Sequence, residues 1–457
     1  MSNTIDLKDI LTTYGTHTLK MRCSAANYTD SEYSEETIDY EPYIYFDANQ
    51  EKIIFTHVLS SITSYELYGE NTLLGTFTSL ENNDDIVIDL ADLNISAFDY
   101  TSFKINVIID NTVYYSNEIQ SAKVYGVSGL YSSSPSLTRT DDAVGMTFAV
   151  NSSTGEISSD FDNVFPYNKM TRVTINGNVF VKVPAMWFRV GVNSYKMLTD
   201  IAVSSVRKND GGNWFHTDEF YYGAYKCSSS SQTLKSVSGV SPLFGQPRTT
   251  FGNLAKANGD NYWVADVYHV TILRFLFLIE YATKDSVSIM TGRNYNSSSV
   301  FTGGTDTIVT PSGFNVTNKQ MKYRNIEDFY GNGLETIDGI YLNKGTNVLA
   351  DMQTRNTNNF NSISYIFNTL SSGMISAYGW DSNNPFICMP VEVSGSATTY
   401  WCDQFSNSGR TNIQFVCWGV DFSYFSTSEG CFYTETSTDI NRYFQTISSR
   451  LMYYPNN

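Results

Sequence analysis

The chain has 457 residues, of which 41% are hydrophobic, 15% aromatic and 16% charged. So many aromatic residues and so little charge exclude a disordered chain, and the length corresponds to about two to four domains. With 29 basic and 46 acidic residues the formal charge is −17, which argues against general binding to nucleic acid or to anionic lipid. The polar remainder is largely Asn, Ser and Thr, which is typical of a mainly β protein with some α structure (α+β).

Nothing in the sequence predicts a membrane span or a secretory leader. The longest apolar run, 270–279, is interrupted by Arg274 and is shorter than the roughly 18 residues that a membrane helix needs. Met1–Asp9 lacks a basic stretch followed by an apolar one, so we expect no signal peptide and synthesis in the cytoplasm. Any route out of the cell is then expected to be lysis or assembly into a particle.

Short segments near the N-terminus recur in the same order further along the chain. Their alternation of apolar and polar residues predicts half-buried β-strands, and the length of the repeat suits a small β-sandwich. The matching pairs are 5–10 with 88–93, 19–23 with 103–107, and 33–36 with 115–118, at separations of 83, 84 and 82 residues.

These repeats predict one complete sandwich at 43–124 and half of one, an attachment segment, at 1–42. Two explanations of the half-sandwich stay open: its first half was lost, or its open strand edges pair with another chain. Residues 125–150, rich in Ser, Thr, Gly and Asp, are predicted to be a linker or entry arm that leads into the next domain. All six tryptophans follow this segment, and we assign 151–457 to that next domain.

One segment of the second domain has clear helical periodicity. Ala265–Thr283 carries apolar residues near helical spacing and ends before Lys284, so we predict a helix packed on a sheet. Within it, Glu280 is expected to cap or to form an ion pair, and His269 to be a hydrogen-bonded core residue. Of the other histidines, His17 is expected in a strand and His216 in a loop, and no GxSxG turn points to a Ser-His-Asp site.

The six cysteines include no CxxC pair and no Cys/His cluster, so the sequence predicts no zinc site. Cys388, Cys402, Cys417 and Cys431 are spaced so that two disulfides are conceivable. In a chain without a signal peptide, however, buried free thiols are the preferred prediction.

Several motifs in the second domain occur in a recognisable order. They are 160–167, 177–189, 278–281, 323–332, Asp338-Gly339, Trp418-Gly419, Gly430 and 449–451. The set resembles bacteriophage tail and adhesin proteins with a C-terminal C-type-lectin-like domain, and the variable proteins that retroelements diversify. The resemblance covers roughly 126–457. In the N-terminal part, 28–34 is similar to the last strands of immunoglobulin-like or fibronectin-like modules.

The resemblance implies N-terminal β-sandwich modules followed by a C-type-lectin-like fold, which formylglycine-generating enzymes share. Glu327-Asp328 and Asp338, the best carboxylates for glycan hydrolysis, then belong to a structural turn. The calcium signatures of lectins are absent, since 383–385 and 418–421 depart from them, and we expect no metal and no cofactor. The less favoured enzymatic alternative would need Cys417 and Cys431 as an accessible copper-binding pair.

The stretch 400–443 interleaves aromatic and short polar residues, as binding surfaces do. In the resembled family the C-terminal loops bind the ligand, and we predict that Tyr424, Phe425, Tyr433 and Tyr443 lie at the surface, with Trp418 and Leu451 in the core. The candidate receptor-binding residues are Trp401, Asp403, Gln404, Phe405, Asn407, Arg410, Asp421, Tyr424, Phe425, Tyr433, Asn441 and Tyr443.

The resemblance thus implies a virion protein that is not an enzyme. A phage tail fibre or baseplate protein would bind other virion proteins through its N-terminal region and a host cell-surface glycan or protein through its C-terminal domain, as a homotrimer. The first alternative is a structural virion protein, a capsid decoration or a tail scaffold, without receptor binding. The second is an oxidase of the formylglycine-generating type.

Overall fold

The computed structural model describes residues 13–21, 34–47, 51–59, 61–78, 85–293, 299–316, 319–343, 347–350, 371–381, 384–407, 414–421, 428–439 and 444–455. The chain divides into two compact units. Unit 1 is Met1–Lys123 with Ser205–Asp210, and unit 2 is Val124–Ser204 with Gly211–Asn457. The fold is mainly β, as predicted, and no helix in these residues has the length and apolar character to cross a membrane.

Unit 1 is built from antiparallel strands in two larger sheets and one two-stranded hairpin, and these share one apolar core. Its strands are β1 (Gly15–Met21), β2 (Ser34–Tyr40), β3 (Tyr43–Phe46), β4 (Lys52–Thr56), β5 (Ser64–Gly69), β6 (Thr72–Phe77), β7 (Ile86–Asp89), β8 (Ser102–Ile109), β9 (Thr112–Tyr115) and β10 (Ile119–Gln120). One sheet has the order β3-β4-β7, and the other β10-β8-β5-β6 with β9 beside β8. Alternate residues of β4 and β8, such as Phe55 and Ile105, are fully buried between them, which is the alternation expected of half-buried strands.

The hairpin of β1 and β2 covers the described part of the predicted half-sandwich. These strands pair with each other from Gly15 opposite Tyr40 to Met21 opposite Ser34, and in the described residues they pair with no other strand. Tyr14 and Tyr40 join the core of unit 1, and the Tyr14 hydroxyl donates to the His57 carbonyl at 2.8 Å. Side-chain packing therefore ties this hairpin to the two-sheet core.

A side chain closes the outer edge of β3. The Asn117 amide accepts a hydrogen bond from the Ile44 N–H at 2.8 Å and donates one to the Ile44 carbonyl at 2.9 Å. These are the two backbone groups that a neighbouring strand would otherwise bind. Asn117 thus takes the place of one residue of a partner strand.

A segment that is remote in sequence completes unit 1. Val206 is 1% exposed within its core, although Val124–Ser204 separates it from the rest of the unit. The Asn209 N–H donates to the Glu51 carboxylate at 3.0 Å, and the Lys208 ammonium lies 5.2 Å from the centre of the Phe98 ring. The segment is therefore an integral part of unit 1.

Unit 2 contains the helices α1 (Arg248–Lys256), α2 (Val267–Tyr281) and α3 (Ser286–Ile289). Short 3₁₀ turns lie at Leu90–Leu93 in unit 1 and at Asp160–Asn163 and Tyr167–Lys169 in unit 2. The strands of unit 2 are β11 (Val124–Ser128), β12 (Thr138–Asp141), β13 (Phe148–Val150), β14 (Glu156–Ser159), β15 (Thr171–Ile175), β16 (Asn178–Val183), β17 (Met186–Val192), β18 (Leu198–Ser204), β19 (Trp214–Thr217), β20 (Phe220–Gly223), β21 (Ser228–Ser230), β22 (Thr233–Lys235), β23 (Tyr262–Val264), β24 (Gly313–Phe314), β25 (Lys322–Tyr323), β26 (Ile326–Glu327), β27 (Leu334–Asn343), β28 (Asn347–Ala350), β29 (Gly373–Met374), β30 (Ala377–Asp381), β31 (Asn384–Glu392), β32 (Gln404–Ser406), β33 (Gln414–Trp418), β34 (Thr434–Asp439), β35 (Ile447–Ser448) and β36 (Leu451–Tyr453).

The sheets of unit 2 are small and are joined by long-range pairings. Their orders are β12-β11-β18-β17-β19, β13-β14-β24-β25-β26, β15-β16-β20-β36-β23, β28-β27-β33-β34-β32-β29 with β35 beside β27, β21-β22 and β30-β31. Helix α2 packs against β11, β18, β27 and β31, and its apolar side chains belong to one large core cluster. The helix is therefore the centre of the unit.

The predicted helix at 265–283 is confirmed, with bounds two residues shorter at each end. The Asp266 carboxylate caps α2 by accepting from the His269 N–H at 3.0 Å. At the other end, Arg139 donates to the carbonyls of Ile279 and Glu280, both at 2.6 Å. Because these carbonyls have no partner within the helix, a half-buried arginine from β12 satisfies them.

The prediction that Glu280 forms an ion pair is also confirmed. Its carboxylate accepts two hydrogen bonds from Arg324, the shorter at 2.5 Å, and both side chains are 0% exposed. Arg324 donates a further bond to Asp162 at 2.7 Å. Burial raises the pKa of the Glu280 carboxyl, whereas Arg324 lowers it. The three side chains tie α2 to the turn at Asp160–Asn163.

Of the two predictions for 125–150, a linker or an entry arm, the structure does not fit a free linker, because these residues belong to unit 2. These residues form most of β11 together with β12 and β13, and β11 lies between β12 and β18 in its sheet. Val127 and Leu130 are 0% exposed. The polar composition of the segment hid its buried positions, which pair with strands more than 70 residues away.

Candidate receptor-binding surface

The predicted surface at 400–443 is built around one sheet of unit 2, in which β33 and β34 are antiparallel neighbours. Gln414 lies opposite Asp439 at one end of this pair, and Trp418 lies opposite Thr434 at the other. We call these the Gln414 end and the Trp418 end. A strand of five residues separates them by about 13 Å.

The candidate residues do not all attach to the same end. Arg410 belongs to the segment that leads into Gln414, whereas Tyr424 and Phe425 belong to the segment that follows Trp418. These three residues, with Asn441 and Tyr443, lie outside the described residues. The candidate segments therefore connect to two different ends of the β33–β34 pair.

Four of the candidates are buried and cannot contact a receptor directly. Trp401 is 2% exposed, Asp403 1%, Phe405 3% and Tyr433 7%. The surface position predicted for Tyr433 is therefore wrong, because its ring joins a second small core with residues of β27, β33 and β35. Gln404, Asn407 and Asp421 are half-buried.

The two core assignments made from the sequence are confirmed. Trp418 is 1% exposed and Leu451 is 0% exposed. Trp418 stacks edge-on with Phe329, with ring centres 5.1 Å apart, and Leu451 pairs with Val264 in its sheet. Both residues thus support the sheets from which the predicted loops leave.

Trp401 is the centre of an aromatic cluster beneath the candidate loops. Its ring centre lies 4.5 Å from that of Tyr378 and 5.1 Å from that of Phe432, and the Lys284 ammonium lies 5.7 Å from it. Lys284 donates to the carbonyls of Gly129, Leu130 and Ser132 at 2.7–3.2 Å, and burial lowers its pKa to about 8. The cluster holds the segments on either side of the loops in fixed positions.

Asp403 is a buried carboxylate at the base of the same loops. One oxygen accepts from the Phe432 N–H at 2.8 Å, while the other has no hydrogen-bond partner in the described part of the chain. Its backbone carbonyl accepts from the Ile375 N–H at 2.9 Å. Burial raises the pKa of this carboxyl to about 8, so it is mostly protonated at neutral pH.

Arg274 fixes the segment that follows Gly430. Its Nε donates to the Cys431 carbonyl at 2.8 Å, and its guanidinium lies over Trp418 at 4.9 Å and over Phe432 at 5.9 Å. An arginine in the apolar run of α2 was visible in the sequence. Its partners were not, because they are more than 140 residues away.

The carboxylates considered for hydrolysis are buried and bound by protein groups. Glu327 accepts from the N–H groups of Gly303 at 2.7 Å and Thr305 at 2.8 Å. Asp338 accepts from Arg248 at 2.7 Å. Like Asp328, both are at most 5% exposed. The arrangement fits the structural role expected of this turn, since buried charges need such partners.

The histidines occupy structural positions. His269 is 8% exposed and donates from Nδ1 to Asp266 at 2.7 Å, so its prediction as a hydrogen-bonded core residue is confirmed. His17 lies in β1, as predicted. His216 lies in β19 rather than in a loop, with its ring 5.0 Å from that of Trp187.

The preference for buried free thiols is confirmed for the cysteines that the structure describes. Cys227, Cys388, Cys402, Cys417 and Cys431 are free and buried, and Cys23 lies outside the described residues. Cys417 and Cys431 are both 0% exposed. The enzymatic alternative needs both thiols to be accessible to copper, and their complete burial does not favour it. In the described residues no group of three His, Cys, Asp or Glu side chains could hold a metal ion.

We expect iodoacetamide to leave these five thiols unmodified in the folded protein and to modify all of them after unfolding without reductant. They are inaccessible, and burial raises the pKa of Cys227 and Cys402 to about 12, so little thiolate forms at pH near 8. Peptide mass spectrometry measures this cysteine by cysteine. Rapid labelling of Cys402 in the folded protein, or a need for reductant after unfolding, would contradict the structure.

No protein-family model matches this chain, and no curated protein matches it in sequence.

Proposed function

We propose that the chain is a virion attachment protein of a bacteriophage, a tail fibre or baseplate component. Unit 2 binds a host cell-surface glycan or protein through segments that leave its sheet, and unit 1 connects the chain to other virion proteins. Binding alone is needed, without catalysis, and a homotrimer would add avidity to contacts that are individually weak.

The observation that carries this proposal is a cluster of buried aromatic and cationic side chains next to the candidate segments. Trp401 and Phe432 are buried in the described chain before and after these segments, and the buried cations Lys284 and Arg274 lie over their rings. The segment 422–427 contributes three aromatic residues among serine and threonine. Recognition surfaces use aromatic and short polar side chains of this kind, supported by tightly packed residues beneath them.

The test is binding of the fluorescently labelled full chain to a panel of intact bacterial strains, measured by flow cytometry. Because the two strand ends are separate, each is tested by its own double variant. Tyr424→Ser with Phe425→Ser changes the Trp418 end, and Arg410→Ser with Asn441→Ala changes the segments that flank Gln414 and Asp439. Tyr195→Ser, at an exposed tyrosine elsewhere in unit 2, is the matched control.

We expect one double variant to weaken binding by about tenfold or more, since aromatic and arginine side chains dominate recognition surfaces. The control is expected to bind like the unchanged chain. If the unchanged chain binds cells and neither double variant differs from the control, the receptor contacts are not at these segments. If the chain binds none of the strains, the alternative of a structural virion protein is favoured.

A further inference from the structure

Alternate residues from Glu35 to Tyr45 form an exposed strip on unit 1. The odd-numbered residues are exposed throughout, while Tyr40, Pro42 and Ile44 between them are buried. The alternation continues from β2 into β3, and within an extended strand the outward side chains recur every 6–7 Å or so. We define the acid–tyrosine strip as Glu35, Thr37, Asp39, Glu41, Tyr43 and Tyr45.

The side chains of the strip combine carboxylates with aromatic rings. Tyr43 is 46% exposed and Tyr45 42%, with ring centres 6.3 Å apart, and the exposed His57 ring lies 6.0 Å from that of Tyr43. Thr16 donates to Asp39 at 2.6 Å, and Nδ1 of His57 donates to the Glu41 carbonyl at 2.8 Å. Neighbouring tyrosines with so much exposed area are the residues that protein interfaces favour.

The charge of the chain is concentrated in the unit that carries this strip. Unit 1 contains eight Lys and Arg residues against 21 Asp and Glu, a net charge of −13, whereas unit 2 contains 21 against 25, a net charge of −4. A surface of one sign attracts a partner of the opposite sign and repels others. A protein surface that docks on unit 1 is therefore expected to be basic.

We propose that the acid–tyrosine strip binds an extended segment of a partner protein with Arg or Lys at alternate positions. In such a segment the side chains of one face repeat at the same spacing as the strip. Arginine can pair with the carboxylates and stack on the tyrosine rings. Recognition through side chains also fits the closed edge of β3, where Asn117 occupies the backbone groups of Ile44. The inference concerns unit 1 and does not depend on receptor binding by unit 2.

The experiment uses the full chain and two synthetic peptides of about twelve residues with equal numbers of arginine and serine. One peptide alternates the two residues and the other has its arginines in one block. Fluorescence anisotropy measures the affinities at low and at high salt. The strip variants are Tyr43→Ser with Tyr45→Ser, and Asp39→Asn with Glu41→Gln. Their matched controls are Tyr115→Ser, an exposed tyrosine on β9, and Asp92→Asn with Asp110→Asn.

We expect the alternating peptide to bind more tightly than the block peptide, each strip variant to weaken it by about tenfold, and the controls to leave it nearly unchanged. Binding should weaken as salt shortens the screening length. Equal affinity for both peptides, or an equal loss in the controls, would show attraction to net charge alone and overturn the proposal. Sedimentation of the chain without peptide reports its oligomeric state. If the strip variants changed this state and left peptide binding unchanged, the strip would be covered by a second copy of the chain, and the proposal would also be overturned.

Discussion

Arg324→Met is expected to lower the free energy of unfolding of unit 2 by about 3–5 kcal/mol, because it leaves the buried Glu280 carboxylate without its partner. Both side chains are 0% exposed and share two hydrogen bonds, and Asp162 loses its bond as well. Methionine keeps most of the side-chain volume, so the loss comes from the charge. All six tryptophans are in unit 2, and a urea titration followed by tryptophan fluorescence therefore reports this unit.

Two further variants show whether burial is the cause. Lys182→Met removes the partially exposed ion pair of Lys182 with Glu219, which is 2.7 Å long, and should cost at most about 1 kcal/mol. Combining Arg324→Met with Glu280→Met removes both buried charges and should recover much of the stability lost in the single variant. If Arg324→Met and Lys182→Met lowered the free energy of unfolding equally, burial of the Arg324–Glu280 pair would not be the cause of its contribution.

Asp403→Asn is expected to stabilise unit 2 most at pH 8, and progressively less as the pH falls towards 4. The folded-state pKa of this carboxyl is raised to about 8 by burial, whereas in an unfolded chain it is about 3.9. Between these values the folded state holds a proton that the unfolded state has lost. The free energy of unfolding therefore falls as pH rises through this window, by up to about 1.4 kcal/mol per pH unit, and changes no further above it.

The measurement is a set of urea titrations from pH 5 to pH 8 on the unchanged chain and on Asp403→Asn. Asparagine has the same shape, can still accept from the Phe432 N–H and does not titrate, so the difference between the two proteins isolates Asp403 from other raised carboxyls such as Asp328. Asp260→Asn, at an exposed turn, is the control and should leave the pH dependence unchanged. A difference between the two proteins that stays constant from pH 5 to pH 8 would mean that Asp403 is charged in the folded state.

The sequence was informative where the physical signal is local. Helix α2 could be predicted because its apolar run is too long for a strand and ends before a Lys-Asp pair. The partnership of Glu280 and the core position of His269 follow from charged or polar groups within such a helix, which need partners when buried.

Positions decided by distant partners could not be predicted in this way. The resemblance and the interleaving of aromatic with short polar residues favoured a surface position for Tyr433, yet residues of β27, β33 and β35 pack against its ring. Residues 125–128 read as part of a linker, although β18 pairs with them across about 75 residues of chain. At the candidate surface, the sequence identified a stretch rich in recognition residues. It could not show that antiparallel pairing of β33 and β34 sends its segments to opposite ends of the sheet.

The position of Val206 has a consequence for the order of events during synthesis. Unit 1 is made first, but its core side chain Val206 leaves the ribosome only after Val124–Ser204 has been translated. At about 5–20 residues per second this delay is on the order of ten seconds. During that time the nascent chain carries a first unit whose apolar core is still open. Unit 1 therefore becomes complete only after the first part of unit 2 has been made, and a shortened chain that ends before Ser205 would contain the described strands of unit 1 but not the core side chain of Val206.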